Sequence, residues 1–503
     1  MTVSKLILFF IIYLGINSPA VPAGDPQSLD LSQETSNSGV IEPIHGSQNA
    51  LTLRECIQEA LTSNAQLESE RLRRGELRGQ MVQARSTGLP TLDISGNWSR
   101  GRDPSYSFNS AFGGGGDDSG DSGGSIGGEC ACVDTFLSGL SLIPAASDIQ
   151  AQTFWRASLN GHWELRPGLI SNAIGAAGLG IKRQEHLITD IENRTVESVM
   201  IGYYGVIKAG EQVDALDAEL AVRREFLDIT RRRFTLELAT SLDTLRAAVS
   251  YANLLPSKRS AEQGLRDAGA RLNVLMGRHP LSPLAITADV PLELEPLDDS
   301  MAEAGIHQRS DIHQMEYLKK MIQKNRGAQK AEHRPYLSAD ASYGYVTSQF
   351  GELTDKGHDF WSASITLIVP FFDGMLTRGK VQETEASIRR TQREIDNAKS
   401  QAYLEILTIL GNLESARANH GAAKLNVAAA EEALRQMTLR FEVGKADYIS
   451  VLESQSARFE ARSQYISANN EVLTLTASLK RAMGYPPETP LAEIKQILAV
   501  EKP

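Results

Sequence analysis

The hexapeptide FWRASL at 154–159 returns as FWSASI at 360–365, 206 positions further along a chain of 503 residues. Its neighbours return with it. RFTLELATSLDTLRA at 233–247 aligns with RFEVGKADYISVLES at 440–454, placing Phe234 opposite Phe441 at a separation of 207. LNVLMGRHPLSPLA at 272–285 aligns with LKRAMGYPPETPLA at 479–492 at the same separation, matching Leu, Met, Gly, Pro, Pro, Leu and Ala in order. An offset held over such a length marks two copies of one unit. Whatever the chain folds into must accommodate a tandem duplication.

The copies differ in one place. LPTLDISGNWS at 89–99 pairs with RPYLSADASYG at 334–344 at a separation of 245, so the first copy carries 39 extra residues before its FWRASL. The surplus surrounds GGGGDDSGDSGGSIGGECAC, a Gly/Ser/Asp-rich stretch that cannot bury a core and reads as a solvent loop at 102–153. The chain therefore divides into a first repeat over 51–290, a second over 291–490 and a tail over 491–503.

Around the repeated hexapeptides, apolar and polar residues alternate strictly. Trp155, Ala157, Leu159, Gly161, Trp163 and Leu165 share one face, against Arg156, Ser158, Asn160, His162 and Glu164 on the other. In the second copy Trp361, Ala363, Ile365, Leu367 and Val369 oppose Ser362, Ser364 and Thr366. Period two predicts strands at 91–100, 154–166, 336–347 and 360–370. Their lengths are close to the roughly 9–11 residues of a tilted membrane-crossing strand, with Trp or Tyr near their ends. The same alternation also describes a soluble antiparallel sheet with one buried face. Four strands cannot close a barrel, so a membrane setting would require an oligomer, because open edges are not tolerated in lipid.

Between the strands and the Phe234/Phe441 motif lie stretches without Pro, rich in Ala, Glu, Arg, Gln and Leu. Val199, Val206, Val213, Leu220, Leu227 and Phe234 recur every seventh residue, as do their counterparts Ile406, Leu413, His420, Val427, Leu434 and Phe441. A second seam, Ile388, Ile395, Ala402, Ile409, Ala416, Ala423, Ala430 and Met437, gives that helix a second neighbour. A helix of about 65 residues would reach on the order of 100 Å. After each Phe the heptads break and resume, predicting a helical hairpin in each copy. Gly444 can supply the positive φ of the second turn, whereas Glu237 at the matching place predicts a turn made differently, and Pro256 predicts a kink in the first return helix.

Met1–Lys5 is a short positive segment, Leu6–Ile16 an apolar run, and Val21-Pro22-Ala23 a small-residue cleavage site, so 1–23 reads as a signal peptide and 24–50 as a linker. Beyond it no window approaches 18 consecutive apolar residues, so entry into a membrane would be by strands. The formal charge of −11, with no concentrated basic face, counts against nucleic acid as a partner.

No motif assembles a nucleophile with a base, and the nine His residues lack metal-ligand spacing, so neither enzyme activity, cofactor nor metal is expected. GAAGLG at 175–180 lacks the lysine of a phosphate loop and reads as close helix packing. Cys130 and Cys132 admit a strained local disulfide, a soft-metal contact or no role, and Cys56 reads as a small packed residue.

In this order, and twice over, these segments resemble the TolC-like outer membrane efflux and secretion channels, the outer membrane factors. The resemblance spans about 51–490. LTLRECIQEALTSNAQL (51–67) is similar to the family's first helix, and ARSTGLPTLDISGNWSR to its passage from helix into strand. VPFFDGMLTRGKVQETEASI is similar to the passage from strand into helix, and RFEVGKADYISVLESQSA to a periplasmic turn. The resemblance implies an α+β membrane protein acting as a homotrimer: four transmembrane strands per protomer complete a 12-stranded barrel, and long coiled-coil helices form a periplasmic tunnel. It implies a bacterial outer membrane location with a large periplasmic part, in contact with outer membrane lipid. As partners it implies a periplasmic adaptor and an inner-membrane transporter, which engage an otherwise passive duct.

By position, the resemblance makes Phe234, Glu237, Leu238, Ala239, Thr240, Asp243, Phe441, Val443, Gly444 and Lys445 the tips that touch the adaptor. It places a pore constriction at Ser450 and Glu453, with Asp447 beside them; Ser450 departs from the acidic residue expected there. Three carboxylates around a narrow axis would raise one another's pKa values and favour cations. The alternative is that Glu453 is an ordinary solvated helix carboxylate. Three functions follow: exit duct of a tripartite efflux pump, exit duct of a type I protein secretion system, or a periplasmic coiled-coil linker without a channel.

Overall fold

A computed structural model describes residues 50–101, 151–288, 290–294, 300–353 and 357–500. All of these fall within one compact unit, Glu42–Pro503. The segment read as a signal peptide, most of that read as a linker, Cys130, Cys132 and the Gly-rich stretch lie outside the described residues.

The elements run α1 (Leu53–Ser63), α2 (Ala65–Ser86), β1 (Thr91–Gly101), β2 (Gln152–Leu165), α3 (Pro167–Thr235), α4 (Ser241–Leu275), α5 (Ser300–Ile306), α6 (Ser310–Glu332), β3 (Tyr336–Thr347), β4 (Asp359–Ile368), α7 (Leu376–Glu442), α8 (Tyr448–Ala482) and α9 (Leu491–Val500). α3 and α7 are continuous over 69 and 67 residues, about 100 Å each at 1.5 Å per residue. Their partners are shorter. α2 and α6 pack on α3 on the strand side and α4 on the side remote from the strands, while α7 packs with α6 and then α8.

The heptad positions face these partners. Val199, Val206, Leu220 and Leu227 are buried along α3, and Ile406, Leu413, His420 and Leu434 along α7, as are Ile395, Ala402, Ala416 and Ala423 of the second seam. In the glycine run a Cβ on Gly175 would lie 3.3 Å from the Lys324 side chain of α6, a tight approach, whereas ones on Gly178 and Gly180 would make ordinary contacts at 3.9 Å and 3.8 Å, so close packing bears on Gly175 alone. Pro256 lies inside α4, which continues through it as one helix. Among the described residues no helix is long and apolar enough to cross a membrane.

The strands form one antiparallel sheet in the order β1-β2-β3-β4. Its registers carry the duplication. Thr91 lies opposite His162 and Trp98 opposite Trp155; their repeat counterparts, Tyr336 with Ile368 and Tyr343 with Trp361, are likewise opposite each other. Leu92, Ile94, Trp98, Trp361, Ile365 and Leu367 all stand more than half exposed on one face, with Ile94 at 85% and Ile365 at 80%. The other face is wired with polar bonds: Ser95 to Ser158 at 3.0 Å, Asn160 to Asp93 at 2.9 Å, His162 to Asp340 at 2.7 Å and Ser342 to Ser362 at 2.8 Å. Burial cannot account for the bare apolar face, since a sheet in water would hide it.

Candidate functional site

The ends of α3, α4, α7 and α8 remote from the sheet meet in one cluster. Phe226 of α3 lies between Phe441 of α7, ring centroids 5.0 Å apart, and Tyr448 of α8, stacked at 5.4 Å. Leu227, Ala247, Leu434 and Val451 complete the buried set. Arg233 closes it from the α3 side, its guanidinium 4.6 Å over the Phe441 ring and donating to the Phe441 carbonyl at 2.5 Å.

Both hairpin turns are built alike, which corrects the expectation drawn from Glu237. In the second copy the helix ends through Gly444 at φ 75°, with the Lys445 N–H donating to the Arg440 carbonyl at 2.8 Å. In the first, Glu237 adopts φ 60° and the Leu238 N–H donates to the Arg233 carbonyl, also at 2.8 Å. These are the same left-handed helix ending, made once by the residue suited to it and once by one that strains to adopt it.

The return helices are capped on matching residues with exchanged chemistry. Thr240 and Asp243 form a reciprocal capping box at the start of α4. At the start of α8 their counterparts are Asp447, the cap, and Ser450, whose N–H donates to the Asp447 carboxylate at 3.0 Å. Hydrogen bonds from Ser450, the side chain's first and then the backbone's, hold the Asp447 carboxyl below its ordinary range. Within one protomer Asp447 and Ser450 therefore engage each other. Glu453 stands exposed one turn further along α8, where the first copy has Arg246, also exposed.

The expected tip residues divide by exposure. Phe234, Glu237, Leu238, Thr240, Val443, Gly444 and Lys445 are exposed, and Ala239 and Asp243 half-buried. Phe441 differs: only 6% exposed against 46% for Phe234, its side chain is held in the cluster between hairpins rather than offered to a partner. Leu242, Leu245 and Val249 of α4 face Ile449 and Leu452 of α8 across an open groove of about 620 Å³, with Arg223 and Ser250 among its lining residues.

Behind that groove lies a charge the sequence did not single out. Glu219 of α3 has no solvent exposure. Arg223 donates to it at 2.8 Å and Arg458 of α8 at 2.7 Å. Arg223 also reaches Ser250 Oγ of α4 at 2.7 Å and Ser456 Oγ of α8 at 3.3 Å. One carboxylate thus ties both hairpins together through three helices. The only local signal, Glu219 and Arg223 four apart, is that of an ordinary solvated helix pair.

A family model described as outer membrane efflux protein matches residues 304–485, the greater part of the second copy. The chain is 24% identical over 289 residues to the proteases secretion protein PrtF of Dickeya chrysanthemi, covering 55% of this chain and 61% of that protein. It is 25% identical over 179 residues to the outer membrane protein OprJ of Pseudomonas aeruginosa, covering 36% and 37%. It spans less than two thirds of either relative. Its fold is similar to that of CusC, solved in a study of folding and transmembrane channel formation, with a TM-score of 0.71 at 17% identity over 93% of this chain and 98% of that one.

Proposed function

The chain belongs to the TolC-like family of outer membrane efflux proteins, and from that premise we propose that three copies form a passive exit duct through the outer membrane and the periplasm. The observation that carries the reading is the sheet. One face bares Ile94, Trp98, Trp361 and Ile365, the other carries Asp93, Asn160, His162 and Asp340, and among the described residues neither β1 nor β4 has a partner on its outer edge. Lipid accepts the first face, a water-filled lumen the second, and closure of the edges requires further strands. Three copies of four strands give the 12-stranded barrel.

At the other end, the exposed tips around Phe234, Leu238 and Val443 suit docking by a periplasmic adaptor, which would couple the duct to an inner-membrane transporter. The constriction is assigned to Glu453, with Asp447 beside it, where a threefold axis would gather one of each per chain. The duct supplies passage and the transporter supplies energy. We read the cargo as small molecules exported by a tripartite pump. Similarity to a protease secretion protein favours a second reading, the exit duct of a type I protein secretion system.

The mass of the purified protein in detergent tests the assembly: three chains are expected, and a folded monomer would contradict it. Deleting the gene distinguishes the cargoes. Cells that become sensitive to small toxic compounds support the pump, and cells that instead retain a normally exported protein support secretion.

A further inference from the structure

The duplication says how one protomer joins the next. Residues of β1 and β3 correspond at a separation of 245, and those of β2 and β4 at 206. The structure obeys this correspondence within each hairpin, because the β1–β2 register maps residue for residue onto the β3–β4 register. Two hairpins of one protomer meet at the β2–β3 seam, where Leu159 lies opposite Tyr343 and Asn160 opposite Ser342. In a barrel of three chains the six hairpins are equivalent by descent, and their six seams alternate between this one and the seam joining β4 to β1 of the next copy.

We propose that the β4 edge of each protomer pairs antiparallel with the β1 edge of a second copy in the register inherited from β2–β3, setting Ile365 opposite Trp98 and Thr366 opposite Asn97. The proposal rests on the trimeric reading above. Replacing Leu159 by its counterpart Ile365 and Tyr343 by Trp98 gives the first pair; replacing Asn160 by Thr366 and Ser342 by Asn97 gives the second.

The faces agree through the middle of the seam. Ile365 meets Trp98, Leu367 meets Gly96 and Val369 meets Ile94 on the apolar side, while Ser364 meets Ser99 and Thr366 meets Asn97 on the polar side; nearer the strand ends Ala363 meets Arg100 and Ile368 meets Ser95. A slip of one residue in either direction would set Ile365, Leu367 and Val369 against polar side chains, which a face in lipid disfavours. A slip of two preserves the faces, and against that the inherited register is the discriminating argument. One position strains it: a Cβ on Gly344 would lie 2.8 Å from Ser158 Cα, and the Gly344 counterpart Ser99 carries a Cβ, so the seam between copies is wider there than within a copy.

Disulfide trapping tests the register. In a full-length background carrying Cys56→Ala, Cys130→Ser and Cys132→Ser, two pairs are introduced separately, Asn97→Cys with Thr366→Cys and Trp98→Cys with Ile365→Cys. Paired residues have Cα atoms about 4.5–5.5 Å apart, within disulfide reach, and adjacent pairs alternate between the two kinds of ladder position, so one of the two has the favourable geometry. The controls, Asn97→Cys with Ser364→Cys or with Ile368→Cys, are displaced by about 7 Å along the strand. The expected result is oxidised dimers and trimers, reversed by reductant, from at least one in-register pair and not from the controls. Linkage through a control pair, or none from any pair in protein of trimeric mass, would overturn the register while leaving the trimer standing. Monomeric mass would instead overturn the trimeric reading itself.

Discussion

Arg458 of α8 donates to Glu219 of α3 at 2.7 Å, and the carboxylate it meets has no contact with solvent. The two residues belong to different copies of the duplication, so the pair joins the hairpins rather than bracing either one. Removing one partner of such a pair strands a buried charge, at a cost of roughly 3–5 kcal/mol. Glu219→Ala is therefore expected to lower the urea midpoint substantially, with Arg223 and Arg458 both left unpaired. Replacing Glu219, Arg223 and Arg458 together by Leu, Met and Met should recover much of the loss. A triple variant as unstable as the single would place the role of Glu219 elsewhere.

Glu237 and Gly444 offer a reciprocal test of the turns. Both hold positive φ, a conformation costing a side-chain-bearing residue about 1–2 kcal/mol. Glu237→Gly is expected to raise stability by about 1 kcal/mol, and Gly444→Ala to lower it by a similar amount or more. Chemical denaturation followed by circular dichroism reads both. Equal effects of the same sign would mean that the two turns are not alike.

His420 sits buried in the α7–α8 seam with its ring 5.3 Å from Tyr465 and, among the described residues, no hydrogen-bond partner for its Nε2. Burial first, and then the nearby Lys424, lowers its pKa below the ordinary value. The folded protein therefore favours the neutral ring, while the unfolded chain takes up a proton near pH 6.5. Stability from this site is complete above that pH and is lost as pH falls from about 6.5 toward the folded pKa. His420→Leu is expected to flatten that part of the stability profile. Thermal unfolding at pH 5 and pH 7.5 measures it, and an unchanged slope would contradict the assignment.

Asp447 has a cap to make whether or not it also faces a pore. Its depressed pKa means that the cap's contribution is present above the usual carboxyl range, about pH 4, and is lost as pH falls below it. Asp447→Ala should lower the unfolding midpoint at neutral pH, while Asp447→Ser keeps a capping oxygen and removes the charge. A change in ion selectivity with Asp447→Ser at unchanged stability would thus report charge at the constriction and not a frayed helix. Selectivity that follows stability across the two variants would leave Asp447 a cap alone.

What could be read from the residues followed from how far each signal reaches along the chain. The alternation through Trp155–Leu165 and the seam from Val199 to Leu227 are repeated local patterns, each position reinforcing the next, so strand and helix were legible before any contact was known. The duplication made one copy a check on the other. It misled at Glu237, where a sequence difference suggested a structural one, because a helix ending stabilised by its own hydrogen bonds tolerates a strained residue. It also concealed the different fates of Phe234 and Phe441, since burial of the second depends on Phe226 and Arg233 of the other hairpin. Glu219 was invisible for the same reason. Its burial depends on Arg458, 239 positions away, and nothing local separates it from any surface glutamate.

On the proposed function, three of these chains enclose a conducting path narrowed at the helical tips. Single-channel recording of the purified full-length trimer in a planar lipid bilayer, beside Glu453→Gln, addresses it directly. Small, cation-selective steps are expected from the unaltered protein and larger or less selective ones from the variant. Steps that ignore the substitution would contradict the placement of the constriction at Glu453, and folded, trimeric protein that conducts no ions would contradict the channel itself.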